Sequence, residues 1–164
     1  MYITAHSALW FAPFVLPICL WVAYSDMRAM KIPNIAVVIM AVVFVVVGAI
    51  ALPFYDYLWR FSHLGVVLLI GVIMNAAGTI GAGDAKFAAA AAPFVALGDL
   101  RLLLALFAAN ILAAFVTHRF AKHTPLRRMA PGWKSWEMGW DFPMGLSLGA
   151  TLAIYLILGI NFGQ

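Results

Sequence analysis

A carboxylate and an ammonium stand at the start of an apolar segment, where Gly81–Asp84 has the sequence Gly-Ala-Gly-Asp and Lys86 follows. A charged side chain at membrane depth costs about 3 kcal/mol or more, so an acid in such a place suggests a functional site. Asp84 could instead be an ordinary helix N-cap preceded by a flexible turn. An N-cap does not explain two glycines separated by one residue, which favour the close approach of a backbone or a substrate.

A second acid, Asp26, precedes a short segment that contains Pro33 and Asn34. Proline in the first turn of a helix costs little, because its missing N–H has no intrahelical partner there. The segment therefore predicts a fixed helix entry and a short, stiff loop that holds Asp26 in place. The ordinary alternative is a helix-end carboxylate paired in water with Arg28 or Lys31.

Asp26 and Asp84 together could carry out hydrolysis. Two carboxylates brought together in a partly dry site cannot both ionise cheaply, so one keeps a proton and the pair covers acid and base roles. Such a pair can activate water against a peptide carbonyl and protonate the leaving amine, without a metal or a cofactor. We therefore predict that these two acids are catalytic. The residues expected to shape the site around them are Gly81, Gly83, Lys86, Pro33 and Asn34.

Metal-dependent chemistry has little support in the sequence. His118 and His123 are five positions apart rather than the i, i+4 pair of a helical zinc site. Cys19 is the one cysteine, which rules out a multi-thiolate site and an intrachain disulfide framework. We expect no metal.

The composition indicates where these acids lie. Of the 164 residues, 66% are hydrophobic and 10% are charged, and the mean hydropathy is +1.02. Such a chain has too little polar surface for a soluble globule, so we predict an all-α, polytopic membrane protein with one domain over residues 1–164. The net charge of +4 then concerns orientation in the membrane rather than nucleic acid.

Apolar runs separated by short polar breaks predict a bundle of six transmembrane helices. The fourth is the weakest, since its purely apolar part is about half of the roughly 20 residues that cross a bilayer. The predicted spans lie near Ala8–Tyr24, Ile32–Leu52, Phe61–Gly78, Gly83–Leu97, Leu102–Val116 and Phe142–Ile160.

The basic residues predict the orientation. Loops two and four hold Arg60 and Arg101, whereas the odd loops hold Arg28, Lys31, Lys86, Arg119, Lys122, Arg127, Arg128 and Lys134. The positive-inside rule then predicts a multi-pass protein of the cytoplasmic (inner) membrane with both termini outside. Asp26 and Asp84 share the cytoplasmic face in this topology, while Asp56 and Asp99 fall on the opposite face.

Other polar and small residues inside or near the spans suggest structural roles. Asn75 and Asn110 are expected to hydrogen-bond neighbouring helices, and the small residues of Gly145–Gly149 predict a close helix contact. Ser62 and His63 are expected to form an interfacial turn.

The fifth loop combines basic residues with tryptophans, which is typical of a segment lying on the anionic lipids of the inner leaflet. Its tryptophans are Trp133, Trp136 and Trp140.

The two aspartate motifs resemble those of a known family. Asp26 is followed six residues later by Ile32–Asn34, and Gly81–Lys86 opens a later span. Together they resemble the type IV prepilin peptidases, a Gly-x-Gly-Asp class of intramembrane aspartyl proteases. Phe142–Gly145 and Gly149 are similar to the Pro/Gly-rich start of that family's last span.

The resemblance implies that Asp26 and Asp84 cleave a basic leader, after a glycine, from prepilin and pseudopilin precursors at the cytoplasmic boundary of the membrane. The short chain is similar to the peptidases of Flp-type, tight-adherence pilus systems. Longer members carry a four-cysteine zinc site and also methylate the new N-terminus. This chain has Cys19 alone, which argues against methyltransferase activity.

Two other functions are compatible with the same residues. A transporter or proton-relay protein would use Asp26 and Asp84 to carry protons or a solute across the membrane. A non-catalytic structural subunit of a secretion assembly would need neither acid for chemistry. A relay favours ionisable groups near the middle of the bilayer, whereas the sequence places both acids at one face.

Overall fold

The structure, a computed structural model, describes residues 1–139 and 141–164. This part of the chain is helical without strands, which confirms the predicted all-α class. The helices are α1 (Ala5–Ala29), α2 (Asn34–Ala51), α3 (Phe54–Ala76), α4 (Ala82–Ala91), α5 (Leu100–Lys122) and α6 (Met144–Phe162). Short 3₁₀ helices cover Ala92–Phe94, Leu97–Asp99, Pro125–Met129 and Lys134–Trp136.

Every α-helix except α4 is long and apolar enough to cross a membrane. The 25 residues of α1 extend about 37 Å, which exceeds the roughly 30 Å of a bilayer's hydrocarbon core. Many large apolar side chains lie on the outer surface of the bundle, including Val46 and Leu69. The protein is therefore a multi-pass membrane protein.

The fourth crossing is made by a short helix and irregular backbone. Asp84, at the start of α4, interacts electrostatically with Asp26 near the end of α1. Asp99 accepts hydrogen bonds from the backbone N–H groups of Tyr2 and Ile3, just before the start of α1. The chain from Asp84 to Asp99 therefore runs from one end of the bundle to the other, as predicted for the weak fourth span.

The helical part of this crossing ends earlier than the predicted Gly83–Leu97. The α-helix stops at Ala91, and Pro93 lies in the first turn of the 3₁₀ helix that follows. Proline has no N–H to donate to the carbonyl four residues earlier, which favours a break in the helix. It does not require one, because α1 continues through Pro13 and Pro17.

Two polar side chains form hydrogen bonds with the irregular backbone after α4. Arg60 Nη1 donates to the carbonyls of Pro93 (3.2 Å) and Phe94 (3.3 Å). The backbone N–H of Ala96 donates to the hydroxyl of Tyr155 at 3.1 Å. Non-helical backbone at membrane depth requires such partners, because lipid offers none.

Several predicted loop positions lie inside helices. α3 begins at Phe54, so Asp56 and Arg60 are helical rather than part of loop two, and Ser62 and His63 do not form a turn. α5 continues to Lys122, which places Arg119 and Lys122 in that helix rather than in the fifth loop. The predicted boundaries followed the loss of hydropathy, but a charged residue does not end a helix.

Close contact between α1 and α6 forms the centre of the bundle. A Cβ atom added to Gly149 would lie 2.8 Å from the carbonyl oxygen of Cys19, and one added to Gly159 would lie 3.0 Å from the Cβ of Ala8. The absence of side chains at these glycines lets the two helix backbones approach. The predicted close helix contact of Gly145–Gly149 is therefore confirmed.

The two asparagines predicted to pack between helices differ. Asn110 Nδ2 donates to Thr151 Oγ1 at 3.0 Å and thus joins α5 to α6, as predicted. Asn75 Nδ2 donates to the carbonyl of Ile80 at 2.8 Å, within the turn between α3 and α4. The prediction for Asn75 was wrong because Asn75 lies in the last turn of α3, within reach of the carbonyls of the turn that follows.

Candidate active site

Asp26 lies in the last turn of α1 and is buried, with 6% of its surface exposed. Its Oδ2 atom accepts a hydrogen bond of 2.7 Å from the backbone N–H of Gly145, in the first turn of α6. A Cβ atom at position 145 would lie 3.0 Å from both the Cβ and the Oδ2 of Asp26. Glycine at 145 therefore allows the start of α6 to approach the carboxylate closely enough to donate to it.

The end of α1 is fixed by its own cap. Met30 has a φ of 53° and a ψ of 41°, the left-handed conformation of a helix C-cap, and its N–H donates to the carbonyl of Asp26 at 2.8 Å. Ser25 Oγ donates to the carbonyl of Lys31 at 3.0 Å. Pro33 is the N-cap residue of α2, so it marks the helix entry but lies just before the first turn, in which it was predicted.

Asp84 lies in the first turn of α4, where Gly81, rather than Asp84, is the N-cap. Its carboxylate folds back onto Gly81, since a Cβ atom at position 81 would lie 2.7 Å from Asp84 Oδ2. A first-turn acid that reaches back to the cap residue stabilises the start of a helix. Asp84 is half-buried, so part of its carboxylate stays open to its surroundings.

The segments around Asp84 and Asp26 are tied together through the start of α2. Lys86 Nζ donates to Asn34 Oδ1 at 3.4 Å. A Cβ atom at Gly83 would lie 3.4 Å from the Cβ of Ile32, next to Pro33. The residues predicted to shape the site therefore lie at one end of the bundle, beside the two acids.

The two carboxylates are close enough to interact electrostatically. Asp26 is held by α1 and α6, and Asp84 is held by α4, so three helices position the pair. Within residues 1–139 and 141–164, no group of three or more His, Cys, Asp or Glu side chains is placed to hold a metal ion. The arrangement suits acid and base chemistry on a group that lies between the two carboxylates.

The segment between α5 and α6 packs beside this end of the bundle. The Trp136 ring stacks on His118 at 5.0 Å and on Trp133 at 5.7 Å, and Tyr24 meets the Trp133 ring edge-on at 6.0 Å. Lys122 Nζ donates to the carbonyl of Met138 at 2.8 Å. These contacts brace the end of α1 close to Asp26.

The tryptophans predicted to lie on lipid do not share one environment. Trp136 is buried, and its Nε1 donates to the carbonyl of Ala130 at 2.7 Å, so it is a packing residue. Trp133 is partly exposed. Trp140 lies outside the described residues.

Gly145 is the site residue that sequence reasoning missed as a partner of Asp26. The stretch Gly145–Gly149 indicated close packing, but the partner of the first glycine was not apparent. A signal was available, because Pro143 and Gly145 open a helix whose first amides have no intrahelical acceptor. A buried carboxylate is a natural acceptor for them.

The fold and the site define a multi-pass, all-helical membrane protein with two interacting acids at one end. A model of the type IV leader peptidase family matches residues 14–118, a range that includes both Asp26 and Asp84. The chain belongs to this family, as the resemblance of its aspartate motifs indicated. Comparisons with curated proteins and with solved structures gave no match. Gly145 lies beyond the matched range.

Proposed function

We propose that this protein is an aspartyl endopeptidase that removes the basic leader from prepilin and pseudopilin precursors, in particular those of Flp-like pili. The observation that carries the proposal is the interaction of Asp26 and Asp84 at one end of the bundle. Membership of the type IV leader peptidase family supports it. The excess of basic residues in the odd loops and in the helix ends beside them supports an inner-membrane location with this end facing the cytoplasm.

The chemistry that we propose uses the acids as a pair. One carboxylate is ionised and takes a proton from a water molecule, whose oxygen attacks the peptide carbonyl carbon. The other acid is protonated and donates to the carbonyl oxygen as the tetrahedral species forms. When the carbon–nitrogen bond breaks, a proton passes to the leaving amine, and the two products are a free carboxylate and a new N-terminus.

The surroundings of the two acids suit different parts of this cycle. The Gly145 amide orients Asp26 by holding one of its oxygens, and the other oxygen keeps its lone pairs for water or the second acid. Asp84 stands beside Gly81 and Gly83, where small residues leave room for an extended peptide backbone. A leader that ends at a glycine could then lie across the start of α4.

The test is the processing of a pilin precursor co-expressed with the peptidase. We expect Asp26→Asn and Asp84→Asn each to abolish cleavage while the protein still inserts into the membrane. Asp56→Asn is the matched control, because Asp56 is an exposed acid near the start of α3, at the opposite end of the bundle. Normal cleavage by either site variant would contradict the proposal and would fit a non-catalytic structural subunit.

A further inference from the structure

Two neighbouring cavities lie between the helices, and the polar one is at the end of the bundle opposite the paired acids. One has a volume of about 210 Å³ and is lined mainly by polar side chains, among them Asp56 and Arg60. The other has a volume of about 560 Å³ and is lined almost wholly by apolar side chains. Trp59, His63, Ala96 and Leu97 line both cavities, so the polar one lies directly beside the apolar one.

The polar cavity carries two opposite charges side by side. Asp56, Arg60 and His63 are spaced four and three residues apart on α3, which places them on one face of the helix. Arg60 is 8% exposed, and its Nη1 donates to the neutral carbonyls of Pro93 and Phe94. Its guanidinium also interacts electrostatically with Asp56 and with the buried Asp99. Asp56 is exposed at the mouth. The cavity therefore offers a cation at its base and an anion at its rim.

Aromatic side chains indicate that the polar cavity lies at the depth of the lipid headgroups. Tyr2, Phe54, Tyr55 and Trp59 are all largely exposed at this end of the bundle. Exposed aromatic residues of this kind concentrate at the boundary between hydrocarbon and water. The apolar cavity, which extends from this level to Ala88 of α4, then lies in the hydrocarbon region.

The size of the apolar cavity favours a chain thinner than a helix. A membrane-crossing helix about 10 Å wide and 30 Å long occupies roughly 2,400 Å³, several times the volume of this cavity. A cavity of about 560 Å³ is instead in the range of small-molecule sites. Its wall includes Leu104, a residue that is 57% exposed on the outside of the bundle.

We propose that the two neighbouring cavities bind one phospholipid with a zwitterionic, ammonium-bearing headgroup. The phosphate lies against Arg60, the ammonium group lies against Asp56, and an acyl chain fills the apolar cavity. A purely anionic headgroup would satisfy Arg60 but would place a negative charge next to Asp56. Adjacent opposite charges on the protein thus match adjacent opposite charges on the lipid.

The test is native mass spectrometry of the full chain, titrated with phosphatidylethanolamine or phosphatidylglycerol that have identical acyl chains. We expect one molecule of phosphatidylethanolamine to bind about tenfold more tightly than phosphatidylglycerol, the difference expected for one charge-assisted contact. Asp56→Asn, a change at an exposed position, should remove this preference. Arg60 is not substituted in this test, because it also donates hydrogen bonds to the backbone carbonyls after α4.

A second pair of variants tests the apolar cavity. Leu104→Trp should fill it and weaken the binding of both lipids about tenfold, the effect of losing roughly 1.4 kcal/mol. Leu112→Trp is the matched control, since Leu112 is a 66% exposed leucine of the same helix that does not line the cavity. Equal binding of the two lipids by the unaltered protein, or equal effects of the two tryptophans, would overturn the proposal.

A photoreactive side chain at position 104 can show whether a lipid or a peptide occupies the cavity in cells. Covalent attachment of a phospholipid to this position would support the proposal. Attachment of the apolar segment of a pilin precursor in place of lipid would overturn it, because the cavity would then be a substrate site.

Discussion

Asp26 and Asp99 are buried aspartates at opposite ends of the same bundle, and their hydrogen bonds differ. Asp99, which is 4% exposed, accepts from the N–H of Tyr2 (2.8 Å), the N–H of Ile3 (2.9 Å) and the hydroxyl of Tyr155 (2.8 Å). Within the described residues, the carboxylate of Asp26 accepts one hydrogen bond, from the backbone N–H of Gly145. A carboxylate has about four lone-pair sites, so Asp99 is nearly saturated and Asp26 is not.

The difference shows that burial alone does not identify a chemical acid. Asp99 ties the segment before α1 and the last helix to the end of the fourth crossing, which is a structural role. The carboxylate of Asp26 can accept further hydrogen bonds, and a second carboxylate, Asp84, lies near enough to interact with it electrostatically. Spare acceptor capacity beside a second acid distinguishes the candidate catalytic end from the structural end.

The largest effect is expected on activity, when the acid at the Asp26 end of the bundle is removed. Asp26→Asn keeps an oxygen that can accept from Gly145 but loses the acid, so cleavage of a pilin precursor should fall about 1,000-fold or more. The thermal unfolding midpoint in detergent should change little. An unfolding midpoint lowered as much as in Asp99→Ala would show that Asp26 is structural as well.

At the opposite end we expect the main effect on stability. Asp99→Ala leaves two backbone N–H groups and the Tyr155 hydroxyl without their acceptor, which should cost about 3 kcal/mol or more. Equilibrium unfolding in detergent measures this cost. Cleavage per folded molecule should stay close to that of the unaltered protein, and a specific loss of turnover would contradict the division of roles.

Gly145→Ala should have an intermediate effect on activity, because it disturbs the position of Asp26 without removing the acid. The new Cβ atom would lie 3.0 Å from Asp26, so the carboxylate or α6 must shift, and we expect about a tenfold loss of cleavage. Gly65→Ala is the matched control in α3, where an added Cβ atom meets nothing within 4 Å. Equal activity of the two variants would show that the Asp26–Gly145 contact does not position the acid.

Tyr155→Phe removes one of the three donors of Asp99 and the acceptor of the Ala96 N–H. The expected loss of stability is about 1–2 kcal/mol, less than that of Asp99→Ala. Double-mutant analysis with Asp99→Ala should then show coupling between the two changes. Additive effects would mean that Tyr155 and Asp99 act independently.

The smallest expected effect concerns the basic segment between α5 and α6. Changing Arg127 and Arg128 together to glutamine should leave the cleavage position unchanged, because a basic leader is repelled rather than bound by this segment. Membrane insertion or the dependence of activity on anionic lipid should change instead. A selective loss of affinity for the leader would contradict this expectation.

Much of the fold could be predicted because membrane helices follow local composition. The positions of α1, α2, α5 and α6 followed from apolar runs, and the all-α class followed from hydropathy. The end of α4 near Pro93 was less apparent, because a proline can end a helix without introducing a polar or charged side chain. The start of α3 was also placed too late, since Asp56 and Arg60 suggested a loop.

The sequence by itself determined the kind of protein and its two candidate acids, since Asp26 and the Gly81–Asp84 motif are visible as charges in an apolar chain. The tertiary structure decided which groups satisfy each buried acid. Gly145 lies 119 positions from Asp26, and Ile3 lies 96 positions from Asp99. Such contacts depend on how whole helices pack, so no local pattern shows that one buried aspartate is saturated while the other retains capacity for chemistry.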